Sequence, residues 1–127
     1  MRVLLDTHAF LWFIADDARL SARAREAIAG ADEAFVSLAT CWEIAIKVSI
    51  GKLTLSAPVD RFLPLHLADN GFQLLPIELG HVTRVATLPW HHRDPFDRVL
   101  VAQSLDETLT VASADPIFRK YGVKRVW

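Results

Sequence analysis

The chain has 127 residues, 52% of them hydrophobic, and a formal net charge of −1. This length and composition predict one compact domain over residues 1–127 and exclude binding of a polyanion through a global basic field. No apolar run approaches the ~20 residues of a membrane span, and the residues after Met1 lack a signal-peptide pattern, so we expect a cytoplasmic protein. The single Cys41 excludes an internal disulfide and is expected to be a small packed residue.

The predicted elements alternate between strands and helices along the chain. The segment 2–8 begins with a buried apolar strand that stops at Asp6. Further strands are predicted at 33–37, 72–75, 108–112 and 123–126. Helices are predicted at 9–14, 22–29, from Thr40 to near Gly51, 58–70, 79–87, 95–107 and from Asp115 to about Tyr121. The alternation indicates βαβ units, a parallel sheet and a three-layer α/β/α sandwich.

Four acidic residues fall directly after a predicted strand or in the first turn of a predicted helix. They are Asp6, Glu43, Asp97 and Asp115. The carboxyl ends of parallel strands open on one edge of the sheet, where α/β proteins bind their ligands. The four carboxylates would therefore converge on one crevice.

Each of these acids also has a purely structural interpretation. Asp6 and Asp115 fit helix caps, and the segment 40–43 matches a capping box in which Glu43 reaches back to Thr40. Asp94 followed by Pro95 is a further cap, which leaves Asp97 as a carboxylate favoured by the helix dipole. Taken singly, each acid is better explained as a cap than as a site residue.

Taken together, the acids favour a metal site. Clustered carboxylates repel one another in a cleft and require a neutralising cation. An all-oxygen cluster suits Mg²⁺ or Mn²⁺, ions that activate water and stabilise negative charge on a phosphoryl group.

Other polar residues near the acids have two interpretations each. The hydroxyls of Thr7, Thr40 and Ser113 could support water in the site or cap helices. Arg98, and Lys47 one helical turn beyond Glu43, could each hold a substrate phosphate or pair with a carboxylate. The histidines His8, His91 and His92 are expected more often to be surface or packing residues than ligands.

Four stretches together resemble the PIN-domain family, and within it the VapC-type ribonuclease toxins of bacterial toxin–antitoxin pairs. They are residues 4–12 (LLDTHAFLW), 42–47 (WEIAIK) with 51–53 (GKL), 92–103 (HRDPFDRVLVAQ) and 114–115 (AD). The family's four acidic positions fall on Asp6, Glu43, Asp97 and Asp115, and Asp94 is kept as a cap or a supporting residue. Ala112-Ser113 stands where relatives often have Val-Thr, so a hydroxyl is retained.

The resemblance implies a PIN-like fold with a central parallel sheet of four to five strands and cleavage of RNA that depends on Mg²⁺ or Mn²⁺. It also implies a homodimer and a small VapB-type antitoxin whose C-terminal segment blocks the acidic cleft. Asp6 and Asp97 are expected to be the principal metal ligands, with Glu43 and Asp115 completing the site.

Three other functions are compatible with parts of the sequence. A receiver-type signalling domain has this size and class but needs an Asp after the third strand, which ends here in Leu75-Pro76-Ile77. A non-catalytic binding module would keep the fold without the chemistry, although none of the four acids is missing. A housekeeping RNA-processing nuclease would share the whole active site with a toxin.

Overall fold

A computed structural model describes all residues 1–127, which form five strands and seven helices. The strands are β1 (Arg2–Leu5), β2 (Glu33–Ser37), β3 (Gln73–Leu75), β4 (Thr110–Ala112) and β5 (Arg125–Val126). The helices are α1 (Thr7–Ile14), α2 (Ala22–Ala29), α3 (Leu38–Ser49), α4 (Val59–Asp69), α5 (Leu79–Val85), α6 (Pro95–Glu107) and α7 (Ile117–Lys120). None of these helices has the length and apolar character needed to cross a bilayer.

The five strands form one parallel sheet in the order β3-β2-β1-β4-β5. The central strand β1 pairs with β2 and β4, with Leu5 opposite Val36 on one side and Ala112 on the other. This confirms the predicted parallel sheet. The order also differs from the 2-1-3-4-5 order of receiver-type domains, which removes that alternative.

The sheet is covered on both faces because successive β-strand side chains point to opposite sides. Val3 and Leu5 pack into a cluster with α1, α2, α3 and α4, which includes the buried free thiol of Cys41. Leu4 faces the other way and packs with Leu100 of α6 and residues of α7. The predicted three-layer sandwich is therefore confirmed.

The boundaries of several elements differ from the prediction. Helix α3 begins at Leu38, and its cap is the hydroxyl of Ser37, which accepts from the Ala39 amide at 3.0 Å. Thr40 therefore lies inside the helix, and the predicted capping box between Thr40 and Glu43 is wrong. The physical reason is that Ser37 ends a buried strand and caps the helix at once, with no loop between them.

The predicted strand at 108–112 is also too long at its start. Thr108 takes a left-handed conformation with φ 56° and terminates α6, so β4 begins only at Thr110. A helix that ends in this conformation normally uses glycine or asparagine, so the threonine gives no sign of it in the sequence.

Candidate active site

The site lies at the carboxyl edge of the sheet, between β1 and β4. These neighbouring strands are connected to opposite halves of the sheet, because β2 and β3 lie beyond β1 and β5 lies beyond β4. In open α/β sheets such a switch point leaves a crevice outside the strand ends. Asp6 directly follows β1, and Asp115 follows β4 by three residues.

A cavity of about 480 Å³ at this edge collects the candidate acids, and we call it the acidic pocket. It is lined by Asp6, Thr7, His8, Glu43, Lys47, His92, Asp94, Asp97, Ala114, Asp115 and Pro116. All four acids singled out in the sequence line it, together with the supporting candidates Thr7 and Asp94. Ser113 is completely buried beneath it, and Arg98 is not among its lining residues.

Asp6 is both a helix cap and a wall of the acidic pocket. Its Oδ1 accepts from the Ala9 amide at 2.8 Å, which caps α1. Burial raises the pKa of Asp6, and the Glu43 carboxylate raises it further, while the Ser113 hydroxyl and the Ala9 amide lower it. The same Ser113 hydroxyl accepts from the Asp115 amide at 3.0 Å.

Asp97 stands in the first turn of α6. The Asp94 side chain caps this helix by accepting from the amides of Phe96 at 2.8 Å and Asp97 at 3.0 Å. Burial raises the pKa of Asp97 to about 6, a hydrogen bond with His92 opposes the rise, and the carboxylates of Asp94 and Asp6 add to it. The carboxylates of the acidic pocket therefore repel one another, and the positive side chains nearby do not neutralise all of them.

Glu43 reaches the acidic pocket from the second turn of α3 and is bonded at both oxygens. Oε1 accepts from the Thr7 hydroxyl at 2.5 Å, and Oε2 pairs with the Lys47 ammonium at 2.7 Å. Thr7 is itself 3.4 Å from the hydroxyl of Thr40, which is buried in α3. The ion pair between Glu43 and Lys47, one helical turn apart, is the pairing expected from the sequence.

Aromatic side chains beside the acids fix α3 against α6. Trp42 meets Phe96 edge to face, with ring centroids 5.3 Å apart. These residues directly precede Glu43 and Asp97, so their contact joins the helix turns that carry the two carboxylates.

His92 lines the acidic pocket, although the sequence favoured a surface or packing role for it. Its Nε2 lies 2.8 Å from Oδ2 of Asp97, and ligand atoms of His92, Asp97 and Asp115 all lie within 4.8 Å of one another. Because His92 stands two residues before the cap of α6, its ring can fold back over the first turn of that helix. This position beside the Asp94 cap is the signal that would have found it.

Arg98 does not line the acidic pocket, so the structure contradicts the phosphate-holding role that the sequence left open for it. Its side chain is buried and donates to the carbonyls of Pro89 at 2.9 Å and Val85 at 3.1 Å and to the Tyr121 hydroxyl at 3.2 Å. Consecutive residues of a helix point about 100° apart, so Arg98 is directed away from the pocket that Asp97 lines. It secures the loop between α5 and α6 instead.

The donor set of the acidic pocket fits a hard divalent cation. Asp6, Asp97 and Asp115 present carboxylate oxygens, which suit Mg²⁺ or Mn²⁺ better than a softer metal. The raised pKa values of Asp6 and Asp97 point the same way, because a bound cation would stabilise the charged carboxylates that burial disfavours. The His92 ring nitrogen lies close enough to the carboxylates of Asp97 and Asp115 for the three residues to hold one metal ion together.

Comparison with known proteins agrees with this fold. The family model for the PIN domain matches residues 3–124, and the chain belongs to the PIN-domain family. Among curated proteins, it is similar to Ribonuclease VapC22 of Mycobacterium tuberculosis (strain ATCC 25618 / H37Rv). The two are 29% identical over 119 residues, which cover 94% of this chain and 91% of the relative.

Solved structures show the same fold at low sequence identity. The VapBC2 complex of Rickettsia felis, bound to a DNA fragment from its promoter, has a chain that matches with a TM-score of 0.72 at 12% identity. That match covers 98% of this chain and 97% of the other. FitAcB of Neisseria gonorrhoeae matches with a TM-score of 0.63 at 20% identity, over 97% of this chain and 95% of the other.

Proposed function

We propose that this protein is an endoribonuclease that depends on Mg²⁺ or Mn²⁺ and acts as the toxin of a VapBC-type toxin–antitoxin pair. The observation that carries the proposal is the acidic pocket, in which Asp6, Glu43, Asp97 and Asp115 meet at the switch point of the sheet. The similarity to Ribonuclease VapC22 supports RNA as the substrate.

Asp6 and Asp97 are the principal metal ligands in this proposal, and Asp115 completes the site beside Asp97 and His92. A metal held there supplies activation of water and stabilisation of the negative charge that builds on a phosphoryl group. Glu43 accepts a hydrogen bond from Thr7 and pairs with Lys47, and these contacts hold its carboxylate in the wall of the acidic pocket. From this position it can accept a proton from water.

Of the two basic residues considered for holding a phosphate, Lys47 lines the acidic pocket and Arg98 does not. The Lys47 ammonium can approach a phosphate oxygen of the substrate there. Because Lys47 also neutralises Glu43, it limits the repulsion inside the pocket before any cation binds.

The partners follow from the same proposal. RNA enters the acidic pocket, and a small VapB-type antitoxin opposes the activity, as the VapBC complexes among the structural matches suggest. A homodimer remains the expected assembly. A housekeeping RNA-processing nuclease would use the same residues, and a neighbouring short gene for a DNA-binding protein would favour the toxin.

The test is cleavage of a labelled RNA panel by purified protein in Mg²⁺, in Mn²⁺ and in EDTA. We expect cutting by the wild type in either metal, none in EDTA, and a loss of at least about 100-fold in Asp6→Asn and Asp97→Asn, because each loses a charged ligand. Asp69→Asn is the matched control, since Asp69 is an exposed residue at the end of α4 that does not line the acidic pocket.

Two results would contradict the proposal. RNA cleavage that continues in EDTA would show that the reaction does not require a metal ion. Full activity in Asp6→Asn or Asp97→Asn would show that the substituted residue is not part of the active site. Circular dichroism of each variant checks that the fold is intact.

A further inference from the structure

Trp90 is an exposed aromatic side chain with one face already occupied. Its side chain is 78% exposed, although tryptophan is usually largely buried. The guanidinium carbon of Arg98 lies 3.9 Å from the centroid of the indole, so one face of the ring rests on a cation. The exposure shows that the ring is also open to solvent.

The indole is held firmly because the residue beneath it is fixed. Arg98 is buried, and its guanidinium donates to the carbonyls of Val85 and Pro89 and to the Tyr121 hydroxyl. A ring stacked on a guanidinium with these contacts loses little further freedom when a ligand stacks on its open face. Trp90 is therefore a preorganised flat surface.

This surface lies close to the acidic pocket. Trp90 stands two residues before His92, which bonds Asp97, so its Cα lies at most about 7 Å from that of His92. Arg98, beneath the indole, directly follows Asp97 in α6 but points away from the acidic pocket, so the ring lies beside the pocket and not in its wall. A strand of RNA with a phosphate in the acidic pocket would pass within reach of the ring.

The surroundings of Trp90 suit a nucleic acid better than a protein partner. The side chains that follow Trp90 in the chain, His91 and Arg93, are exposed and polar, and Pro89 before it is an exposed apolar neighbour. A single aromatic face beside cationic side chains is the arrangement with which proteins bind unpaired bases.

We infer that Trp90 stacks on an unpaired RNA base next to the phosphate that occupies the acidic pocket, and so positions the substrate. The inference rests on the proposed function, since it assumes an RNA substrate. Trp90 is a positioning residue for the substrate and takes no part in bond cleavage. The competing explanation is that the indole only covers the Arg98 cation.

The test compares two RNA probes in the cleavage-deficient Asp6→Asn background with Mg²⁺ present. One probe is a fluorescein-labelled oligouridine, and the other is an abasic ribose-phosphate oligomer of the same length, which has the phosphates without the bases. Trp90→Phe keeps an aromatic face, whereas Trp90→Leu keeps an apolar cover over Arg98 without one. Leu79→Ala is the control, because Leu79 is 79% exposed and is not among the residues that line the acidic pocket.

We expect Trp90→Leu to bind oligouridine about 5- to 100-fold more weakly and Trp90→Phe to lose less, as stacking energies per base predict. Neither variant should change binding of the abasic oligomer, and Leu79→Ala should change neither affinity. Unchanged oligouridine affinity in Trp90→Leu, or an equal loss on both probes, would overturn the inference. If neither probe binds any variant, the RNA-binding proposal fails and the inference fails with it.

A measurement that keeps the indole in place covers the case in which Trp90→Leu does not fold. The Asp6→Asn protein is labelled with 5-fluorotryptophan, and the Trp90 signal is identified as the ¹⁹F resonance that Trp90→Phe lacks. We expect oligouridine to shift this resonance and the abasic oligomer to leave it in place. A Trp90 resonance that does not shift when either probe binds would overturn the inference.

Discussion

At the scale of single residues, carboxylates that accept hydrogen bonds from helix amides also line the acidic pocket. Asp6 caps α1 through Oδ1, and Asp115 accepts the Ile117 amide at 2.9 Å through its own Oδ1, yet both line the acidic pocket. A carboxylate has two oxygens and several acceptor positions, so one oxygen can satisfy a helix amide while the group still faces the cleft. The two explanations that the sequence left open for these residues are therefore compatible.

The pKa of Asp97 leads to a prediction about stability without metal. Burial raises this pKa from 3.8 to about 6, so the folded protein binds more protons than the unfolded chain between these values, and the free energy of unfolding falls as pH rises through that window. We expect Asp97→Asn to be more stable than the wild type by about 1–3 kcal/mol at pH 8 in EDTA. The gain should shrink below pH 5.

Urea denaturation of both proteins at pH 8 and pH 4.5 measures this difference. Asp69→Asn again serves as the control for loss of a surface charge. If Asp97→Asn is less stable than the wild type at pH 8, or if its gain in stability does not change with pH, the folded protein does not disfavour the charged form of Asp97.

Arg98 gives a second prediction at the residue scale. Arg98→Lys keeps the charge but not the planar fork that reaches the carbonyls of Val85 and Pro89, so buried acceptors lose their donors. We expect a loss of about 3 kcal/mol or more in the free energy of unfolding, measured by urea denaturation with Arg93→Lys as the matched exposed control. A loss no larger than that of the control would contradict the structural role assigned to Arg98.

At the scale of elements, the sequence predicts most helices and strands because their end signals are local. The Asp94-Pro95 pair predicts the start of α6 correctly, and Ser21 does so for α2. The start of α3 was missed because Ser37 and Thr40 both suit a cap, and the choice depends on the strand that Ser37 completes. The end of α6 was missed because Thr108 takes a conformation that threonine rarely adopts.

The cap of α6 can be separated from the charge that it brings to the acidic pocket. Asp94→Ala removes the acceptor for the amides of Phe96 and Asp97, and we expect a loss of about 1 kcal/mol in the free energy of unfolding. Asp94→Ser retains a cap without the charge, so we expect nearly wild-type stability and retained RNA cleavage. A loss in Asp94→Ser as large as in Asp94→Ala would show that the carboxylate matters for more than capping.

At the scale of the whole molecule, the order of the sheet brings together acids from opposite ends of the chain. Asp6 and Asp115 are 109 positions apart, yet they meet because β1 and β4 are neighbours. The sequence predicts this convergence because all parallel strands end at one edge. The sequence does not predict which basic side chain lines the acidic pocket. That depends on the directions in which Arg98 points from α6 and Lys47 points from α3.

The central claim is that these carboxylates form a divalent-cation site, and Mn²⁺ binding tests it without knowledge of the RNA target. Electron paramagnetic resonance counts free Mn²⁺ during titration of wild type, Asp6→Asn, Asp97→Asn and the Asp69→Asn control. The account predicts saturable binding by wild type and Asp69→Asn, and affinity at least about 10-fold weaker in each pocket variant, since each loses a charged ligand. Equal Mn²⁺ affinity in all four proteins, or none in the wild type, would contradict it.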